Sequence, residues 1–159
     1  MIFKRENKEP KRWHFVVLIV VIALGLGLKL YSYHFETVKV RLNNQEYKVL
    51  VARTLTQQYR GWGERKNMGA AQGMLFFFNN RDQHTMVMRD MLFPIDIVWV
   101  DGQIVVDMAP NVSIEPGKTE NQLTPYIGRG VSTIVLEMAS GTIANAGLKI
   151  GDVVEIIDN

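Results

Sequence analysis

The sequence of 159 residues contains no cysteine. Disulfide bonds, thiolate metal sites and a cysteine nucleophile are therefore excluded. The sequence also lacks the Gly-x-Ser-x-Gly, His-Glu-x-x-His and Gly-Lys-Ser/Thr patterns of serine hydrolases, zinc proteases and P-loop proteins. We accordingly predict no cofactor. The absence of these patterns favours a protein that is not an enzyme.

Charged side chains are absent from residues 15–28, which read FVVLIVVIALGLGL. Two acidic residues precede this run, against five basic ones, which are Lys4, Arg5, Lys8, Lys11 and Arg12. With Trp13, Lys29 and Tyr31 at the interfaces, residues 13–31 match the length of a transmembrane helix. Because a basic flank stays in the cytoplasm, the sequence predicts a cytoplasmic tail (1–12), a signal anchor in the lipid bilayer (13–31) and an extracytoplasmic domain (36–159) at the cell membrane.

A cleaved signal peptide has the same layout of basic residues followed by an apolar core. The segment LGLGLKLYSY at the end of the run offers bulky residues rather than an Ala-x-Ala cleavage site. An uncleaved anchor is therefore the preferred interpretation. A domain secreted after signal cleavage and a helix of a soluble protein are the alternatives.

The charge of the chain is divided unevenly between these parts. Residues 1–35 carry six Lys/Arg and two Asp/Glu, a net charge of +4, whereas residues 36–159 carry twelve and fourteen, a net charge of −2. Nucleic-acid binding needs a basic surface, so we predict no nucleic-acid partner for the domain. An envelope protein or a small polar ligand is the expected partner beside the bilayer.

Short strand patterns separated by turn signals dominate residues 37–157. Hairpins are predicted around Asn43-Asn44 and around Asp101-Gly102, because alternating segments flank both turns. Further strands are predicted at 73–78, 84–88, 132–138 and 153–157, short helices at 55–60 and 141–146, a turn at 79–83 and an irregular excursion at 109–132. The pattern predicts a mainly β (α+β) domain, with a small antiparallel, partly closed barrel-like sheet and two short helices.

Five segments occur in an order that resembles domain-of-unknown-function family 192. They are GWGER (61–65), GMLF (73–76), MRDMLFPIDI (88–97), VLEM (135–138) and GLKIGDVVEI (147–156). The resemblance covers about residues 37–157. It implies a small, mostly β, commonly extracytoplasmic domain behind a signal or an anchor, and it implies no particular reaction.

Within this resemblance, MVMRDM at 86–91 falls where family members usually carry Phe-Trp-Met-Lys-Asn-Thr. Arg89 therefore replaces Lys and Asp90 replaces Asn, whereas Asp96 and Glu137 match the family pattern. These replacements argue against an activity that needs the family's Lys or Asn.

Charged residues beside apolar strands are the candidate ligand-binding residues: Arg89, Asp90, Asp96, Arg129 and Glu137. A charge inside a buried strand is costly unless it is paired or hydrogen-bonded. In one interpretation, Arg89 or Arg129 orients a polar ligand and a carboxylate acts as acid or base. In the other, Asp96 accepts backbone N–H bonds from the loop after Pro94, and Glu137 pairs with Arg65 or Arg89.

The segment HTMVM at 84–88 is the candidate metal site. On a strand, His84, Met86 and Met88 share one face, and an imidazole with two thioethers suits Cu(I). Methionine also fills gaps in hydrophobic cores, and Met86 takes an aromatic position of the family. A core role is therefore preferred, with Cu(I) binding as the alternative.

Together, these features predict a membrane-anchored extracytoplasmic module that binds a small ligand or an envelope protein. The alternatives are a small hydrolase or ligand-processing enzyme that uses Asp96 and Glu137 with an arginine, and a Cu(I)-binding protein.

Overall fold

The structure is a computed structural model that describes residues 11–32 and 34–157, with side chains up to residue 28 in the first range. It divides the chain into two compact units at the boundary between His34 and Phe35. The N-terminal unit contains helix α1 (Arg12–Ser32), and the C-terminal unit contains the β-rich domain. Most of the predicted cytoplasmic tail (1–12) lies outside the described residues.

Helix α1 has the sequence RWHFVVLIVVIALGLGLKLYS. Apolar side chains from Phe15 to Leu28 lie on all of its faces, and they are exposed. Among the residues described with their side chains, we find no helix with the length and apolarity that a membrane crossing requires. The structure therefore shows a helix at residues 13–31 and does not show the predicted transmembrane placement.

The second unit is built on a seven-stranded sheet in the order β6-β5-β8-β3-β2-β1-β9, beside a two-stranded sheet of β4 and β7. The strands are β1 (Glu36–Leu42), β2 (Gln45–Ala52), β3 (Gly73–Asp82), β4 (Thr85–Met86), β5 (Ile95–Asp101), β6 (Ile104–Val112), β7 (Tyr126–Ile127), β8 (Ser132–Ala139) and β9 (Val154–Ile157). Both predicted hairpins, β1–β2 and β5–β6, are confirmed.

The large sheet is mixed, so the predicted antiparallel arrangement is wrong at one pair of strands. Strands β2 and β3 are parallel, with Val49 opposite Gly73 and Ala52 opposite Phe76. Residues 53–72 connect them and include helix α2 (Leu55–Arg60). A crossover of this kind, rather than a hairpin, is the connection that a parallel pair requires.

Helix α2 forms where the sequence predicts it because both of its ends carry capping signals. The Thr54 hydroxyl accepts a hydrogen bond from Gln57 N at 3.3 Å, and Gln57 Oε1 accepts one from Thr54 N at 3.1 Å. This reciprocal pair is a capping box. Gly61 ends the helix with a φ of 47°. Helix α3 (Thr142–Ala146) is likewise confirmed, between Gly141 and Gly147.

The sheet curls into a half-barrel. Its curl brings the start of β6 to the segment before β9, where Val105 N donates to Asp152 O at 2.9 Å and Val154 N to Gln103 O at 2.8 Å. The mainly β fold with a partly closed barrel is therefore confirmed in its coarse form.

Alternating side chains of the sheet form two hydrophobic clusters, one on each face. The first cluster includes Leu75 and Leu136, and the second includes Phe76 and Val135, which come next to them in sequence. Phe78 packs with the second cluster and Phe77 with the first, as the period of two predicts.

Two local predictions are wrong in the segment 79–88. Strand β3 continues to Asp82 through the predicted turn at 79–83, with a shift of register after Phe77. The predicted strand at 84–88 is reduced to Thr85–Met86, which pairs with β7. Turn-forming residues such as asparagine are tolerated at irregular strand positions, so composition alone did not reveal the extension.

Candidate ligand-binding site

Glu137 lies in the middle of β8, between β3 and β5. Its side chain belongs to the face of the second cluster, since Val135 packs there two residues earlier. The residue is 5% exposed, and none of the described residues donates a hydrogen bond to its carboxyl group. Burial raises the pKa of this carboxyl group to about 8, because ionisation would leave an uncompensated charge in an apolar surrounding. Glu137 is therefore mostly protonated at neutral pH.

A cavity of about 240 Å³ opens beside this carboxyl group, and we call it the Glu137 cavity. Its wall comes from α2 and the turn after it, from β3, from β4 with the segment that follows, and from β8. Aromatic rings and thioethers supply much of the lining: Tyr59, Trp62, Phe76, Phe78, Met86 and Met91. Four of the five segments that carry the family resemblance contribute to this wall, namely 61–65, 73–76, 88–97 and 135–138.

The turn after α2 brings the main chain close to the cavity through two glycines. A Cβ on Gly61 would lie 3.5 Å from the Phe76 ring, and its φ of 47° favours glycine. A Cβ on Gly63 would lie 3.1 Å from the carbonyl oxygen of Arg60. Trp62, between the glycines, is 1% exposed, and its Nε1 has no hydrogen-bond partner among the described residues. The glycine pair thus allows a large indole to be buried at the wall.

Asp90 holds a neighbouring turn rather than the cavity. Its φ is 52°, and its carbonyl oxygen accepts a hydrogen bond from Glu64 N at 2.8 Å. Asp and Asn adopt this left-handed conformation more readily than other non-glycine residues. The side chain is exposed and does not contribute to the wall.

Arg89 contributes to the wall, but its guanidinium is already engaged. Nε donates to the Glu120 carboxylate at 2.6 Å, Nη1 donates to the carbonyl oxygen of Tyr59 at 2.9 Å, and Nη2 forms a second bond to Glu120. The guanidinium carbon also lies 3.9 Å from the centroid of the Tyr59 ring. The hydrogen bonds between Arg89 and Glu120 raise the pKa of the arginine and lower that of the glutamate.

The same ion pair fastens the long loop between β6 and β7 to the rim of the cavity. Glu120 begins a short 3-10 helix, Glu120–Gln122, inside this loop. Glu115 ties the loop together, because its carboxylate accepts hydrogen bonds from Thr124 N at 2.9 Å and Thr124 Oγ1 at 2.6 Å. The irregular excursion predicted at 109–132 is therefore an ordered strap beside the cavity from residue 113 to 125.

Asp96 is fully buried and is held by the backbone. Its carboxylate accepts hydrogen bonds from Asn111 N at 2.8 Å, Gly141 N at 3.1 Å and Ile143 N at 2.7 Å. The donors differ from the predicted loop after Pro94, although the predicted type of bond is present. In register, Asp96 faces Met138 whereas Ile97 faces Glu137. The carboxyl groups of Asp96 and Glu137 therefore point to opposite faces of the sheet and cannot act as a pair.

Two arginines expected near Glu137 lie elsewhere. Arg129 Nε donates to Asp107 Oδ1 at 2.9 Å, and the Arg129 side chain is 76% exposed. Hydrogen bonding to Arg129 lowers the pKa of Asp107, a 5% exposed residue that our sequence reasoning missed. Its position within an apolar strand is the same signal that marked Asp96. Arg65 stacks on the rings of Phe35 and Trp62 rather than pairing with Glu137.

The three candidate Cu(I) ligands have structural roles in the described chain. The His84 ring stacks on Phe78 at 3.6 Å, and its Nε2 lies 3.1 Å from the carbonyl oxygen of Asn80. Met88 is 1% exposed, and only Met86 of the three lines the Glu137 cavity. Within residues 11–32 and 34–157, no group of three or more His, Cys, Asp or Glu side chains is placed to hold a metal ion. Cu(I) binding stays a prediction for direct titration.

The fold and the site define a class of protein: a small, curled β domain with a cavity of about 240 Å³ on one face of its sheet. The chain belongs to the DUF192 family, described as "Uncharacterized ACR", whose family model matches residues 37–156. The resemblance seen in the sequence is therefore confirmed. This assignment brings no biochemical role with it.

Two crystal structures are similar to this chain. A protein of unknown function from Novosphingobium aromaticivorans DSM 12444 is 31% identical, with a TM-score of 0.63, over 76% of this chain and 84% of that one. A protein from Sinorhizobium meliloti 1021, described as a candidate transcription regulator, is 23% identical, with a TM-score of 0.68, over 77% and 95%. The second likeness concerns the fold alone. Comparison with curated proteins gave no match.

Proposed function

We propose that this chain is a membrane-held, extracytoplasmic module that binds a small ligand in the Glu137 cavity. The observation that carries the proposal is a buried carboxyl group on a cavity wall without a partner among the described residues. Burying such a group without a hydrogen bond costs several kcal/mol. A ligand that bonds to the carboxyl group offsets this cost, whereas packing alone would favour an apolar side chain at this position.

The surroundings of Glu137 support binding more than hydrolysis. In a hydrolase that uses two carboxyl groups, both groups must reach the bond that is cleaved. Asp96 lies on the face of the sheet opposite to that of Glu137 and cannot reach the same bond. Arg89 is engaged by Glu120 and Tyr59. The wall therefore offers a shaped space, aromatic surface and one buried carboxyl group.

A binding experiment tests this proposal on the full chain in a non-ionic detergent. A panel of small molecules is titrated at millimolar concentration while the indole N–H signals are followed by NMR. We expect binders to shift the signal of Trp62, on the wall, more than that of Trp99, whose Nε1 donates to His84 O at 2.8 Å. If no compound shifts the Trp62 signal selectively, the cavity is not a ligand site.

The location outside the cytoplasm is part of the same proposal. The exposed apolar side chains between Phe15 and Leu28 support it, because water would hydrate this surface unfavourably and lipid would not. The basic residues before them support an N-terminus in the cytoplasm. A reporter enzyme that is active only outside the cytoplasm, fused after residue 159, is expected to be active. Activity of a cytoplasm-specific reporter at this site would refute the topology, and a shortened product would indicate signal cleavage.

A specific observation favours a second candidate function, the processing of a bound ligand. Glu137 has a pKa of about 8 and faces a cavity, so it can donate a proton to a substrate at neutral pH. Screening with ester, phosphate and glycoside substrates tests this candidate. Turnover that Glu137→Gln removes without unfolding the protein would support it, and turnover that survives this substitution would not involve Glu137.

A further inference from the structure

We propose that the ligand of the Glu137 cavity is an organic cation of the alkylammonium class, held by the Glu137 carboxylate against the aromatic wall. This inference rests on the proposed binding function and adds the chemical class of the ligand. It depends on a comparison between the polar groups of the wall that form hydrogen bonds within the protein and the Glu137 carboxyl group, which forms none with the described residues.

The hydrogen-bond donors of the wall are mostly used within the protein. The N–H groups of Gly61 and Gly63 donate to the carbonyl oxygens of Gln57 and Arg60, both at 2.9 Å. The Arg89 guanidinium donates to a carboxylate and to a backbone carbonyl. An anionic ligand would need such donors, and binding it would require breaking these bonds.

Three other polar groups of the wall are also committed or enclosed. Gln58 Nε2 donates to the carbonyl oxygen of Phe77 at 2.5 Å. Arg60 also interacts within the protein. The indole N–H of Trp62 lacks a partner among the described residues, but protein atoms enclose its nitrogen. The hydroxyl groups of Tyr59 and Thr85 are the remaining side-chain donors of the wall, and neither carries the positive charge that would pair with an anion.

Glu137 is the acidic residue of the wall, and its ionised carboxylate would attract a positive charge. The faces of aromatic rings attract cations, and Phe76, Phe78 and Trp62 contribute rings to the lining. Met86 and Met91 add polarisable thioethers. A cation would be attracted to the ionised carboxylate by its charge, and this attraction is stronger in a partly buried site than in water.

Binding of a cation is coupled to loss of a proton from Glu137. Burial raises the pKa of this carboxyl group to about 8, so the empty site is mostly protonated at pH 7 and must ionise to pair with the cation. The affinity is therefore expected to rise about tenfold per pH unit below pH 8 and to level off above it. A neutral ligand of the same shape has no such dependence.

Choline and its uncharged isostere 3,3-dimethylbutan-1-ol are suitable probes, because they differ in charge and hardly in shape. We would titrate each by calorimetry into the full chain in a non-ionic detergent at pH 9 and at pH 6.5. Choline is expected to bind at least tenfold more tightly than the isostere at pH 9. Its affinity should fall at least tenfold at pH 6.5, whereas that of the isostere should not change.

Three variants connect these results to the cavity. Glu137→Gln should remove both the preference for choline and the pH dependence of choline binding. Glu155→Gln changes an exposed carboxyl group on β9 and should keep both properties. Phe76→Leu should weaken choline more than the isostere, since it removes one aromatic ring. Phe76→Leu also serves as an independent measure if Glu137→Gln does not fold.

The outcomes separate the ligand class from the binding function. Equal affinity for both probes overturns the cation proposal and leaves ligand binding in the cavity intact. Tighter binding of an anionic probe, benzoate, titrated in the same way, has the same meaning. Absence of choline binding overturns it as well when other compounds shift the Trp62 signal. If no compound shifts that signal, both the cation proposal and the binding function fail.

Discussion

Two buried carboxyl groups on neighbouring strands show how surroundings decide the role of a residue. Asp96 receives three backbone N–H bonds, and its charge is compensated within the fold. Glu137 has no described donor and faces a cavity. Asp96 holds the end of β6 and the start of α3 together. Glu137 carries an uncompensated group, which is the basis of the proposed ligand site.

The pKa of Glu137 makes the stability of the empty protein depend on pH. The unfolded carboxyl group ionises near pH 4.5 and the folded one near pH 8. Between these values the unfolded state loses its proton and the folded state keeps it, so stability falls as the pH rises. The full shift corresponds to about 5 kcal/mol, as an order of magnitude.

We predict that Glu137→Gln removes this slope and makes the protein more stable than wild type at pH 8. Denaturant unfolding of the full chain between pH 5 and pH 8 measures the effect. Glu155→Gln, on the same sheet but exposed, is the matched control and should keep the wild-type slope. An unchanged slope in Glu137→Gln would mean that the carboxyl group is solvated in the folded protein.

Asp96→Ala is predicted to destabilise the domain by about 2–4 kcal/mol, since it leaves one buried and two partly buried N–H groups without their acceptor. The unfolding midpoint should fall, while the fraction that remains folded should bind small molecules with unchanged affinity. Loss of binding in that folded fraction would instead connect Asp96 to the cavity.

The sequence marked both carboxyl groups as costly, yet it could not separate their roles. The donors to Asp96 come from Asn111, Gly141 and Ile143, which are distant in the chain. Opposite orientation of Asp96 and Glu137 follows from the register of β5 against β8. Both facts depend on tertiary pairing, which the local pattern of apolar and polar residues does not encode.

At the scale of elements, Gly73 at the start of β3 sets the distance between that strand and β8. A Cβ there would lie 2.4 Å from the Met138 sulfur and 2.5 Å from the carbonyl oxygen of Glu137. The backbone of β8, which carries Glu137, would have to move to admit a methyl group. The glycine of the GMLF segment is therefore required by close packing.

We predict that Gly73→Ala destabilises the domain by about 1–3 kcal/mol and weakens ligand binding by displacing Glu137. Unfolding midpoints and the Trp62 indole signal measure the two effects. Gly130→Ala is the control, because its Cβ would lie at an ordinary 3.4 Å from Val106. Equal tolerance of both substitutions would show that β3 and β8 can separate without cost.

Most elements defined by local signals agreed with the sequence, the turn at 79–83 excepted, whereas two features that depend on long-range pairing did not. Thr54 and Gly61 bound α2 where predicted, and Asn43 has the positive φ of 52° expected in its hairpin. The parallel pairing of β2 with β3 and the two-residue length of β4 were not predicted. Parallel pairing depends on how the crossover at 53–72 packs, and composition carries little information about that.

At the scale of the whole molecule, the boundary between His34 and Phe35 predicts that the C-terminal unit folds independently. Residues 35–159 contain the complete sheet and both hydrophobic clusters. We expect this fragment to unfold cooperatively, with a free energy within about 1 kcal/mol of that measured for the same transition in the full chain. Failure of the fragment to fold would show that the N-terminal unit contributes to the stability of the domain.

The pairing of β1 with β9 has a consequence for how the protein is made. Lys39 faces Ile157 in this pair, so one of the first residues of the sheet meets one of the last. Synthesis from the N-terminus releases β1 long before β9, and until then one edge of β1 lacks its neighbour. The sheet is therefore completed only after translation reaches residue 157, and a nascent or truncated chain presents a strand edge that chaperones or other chains can occupy.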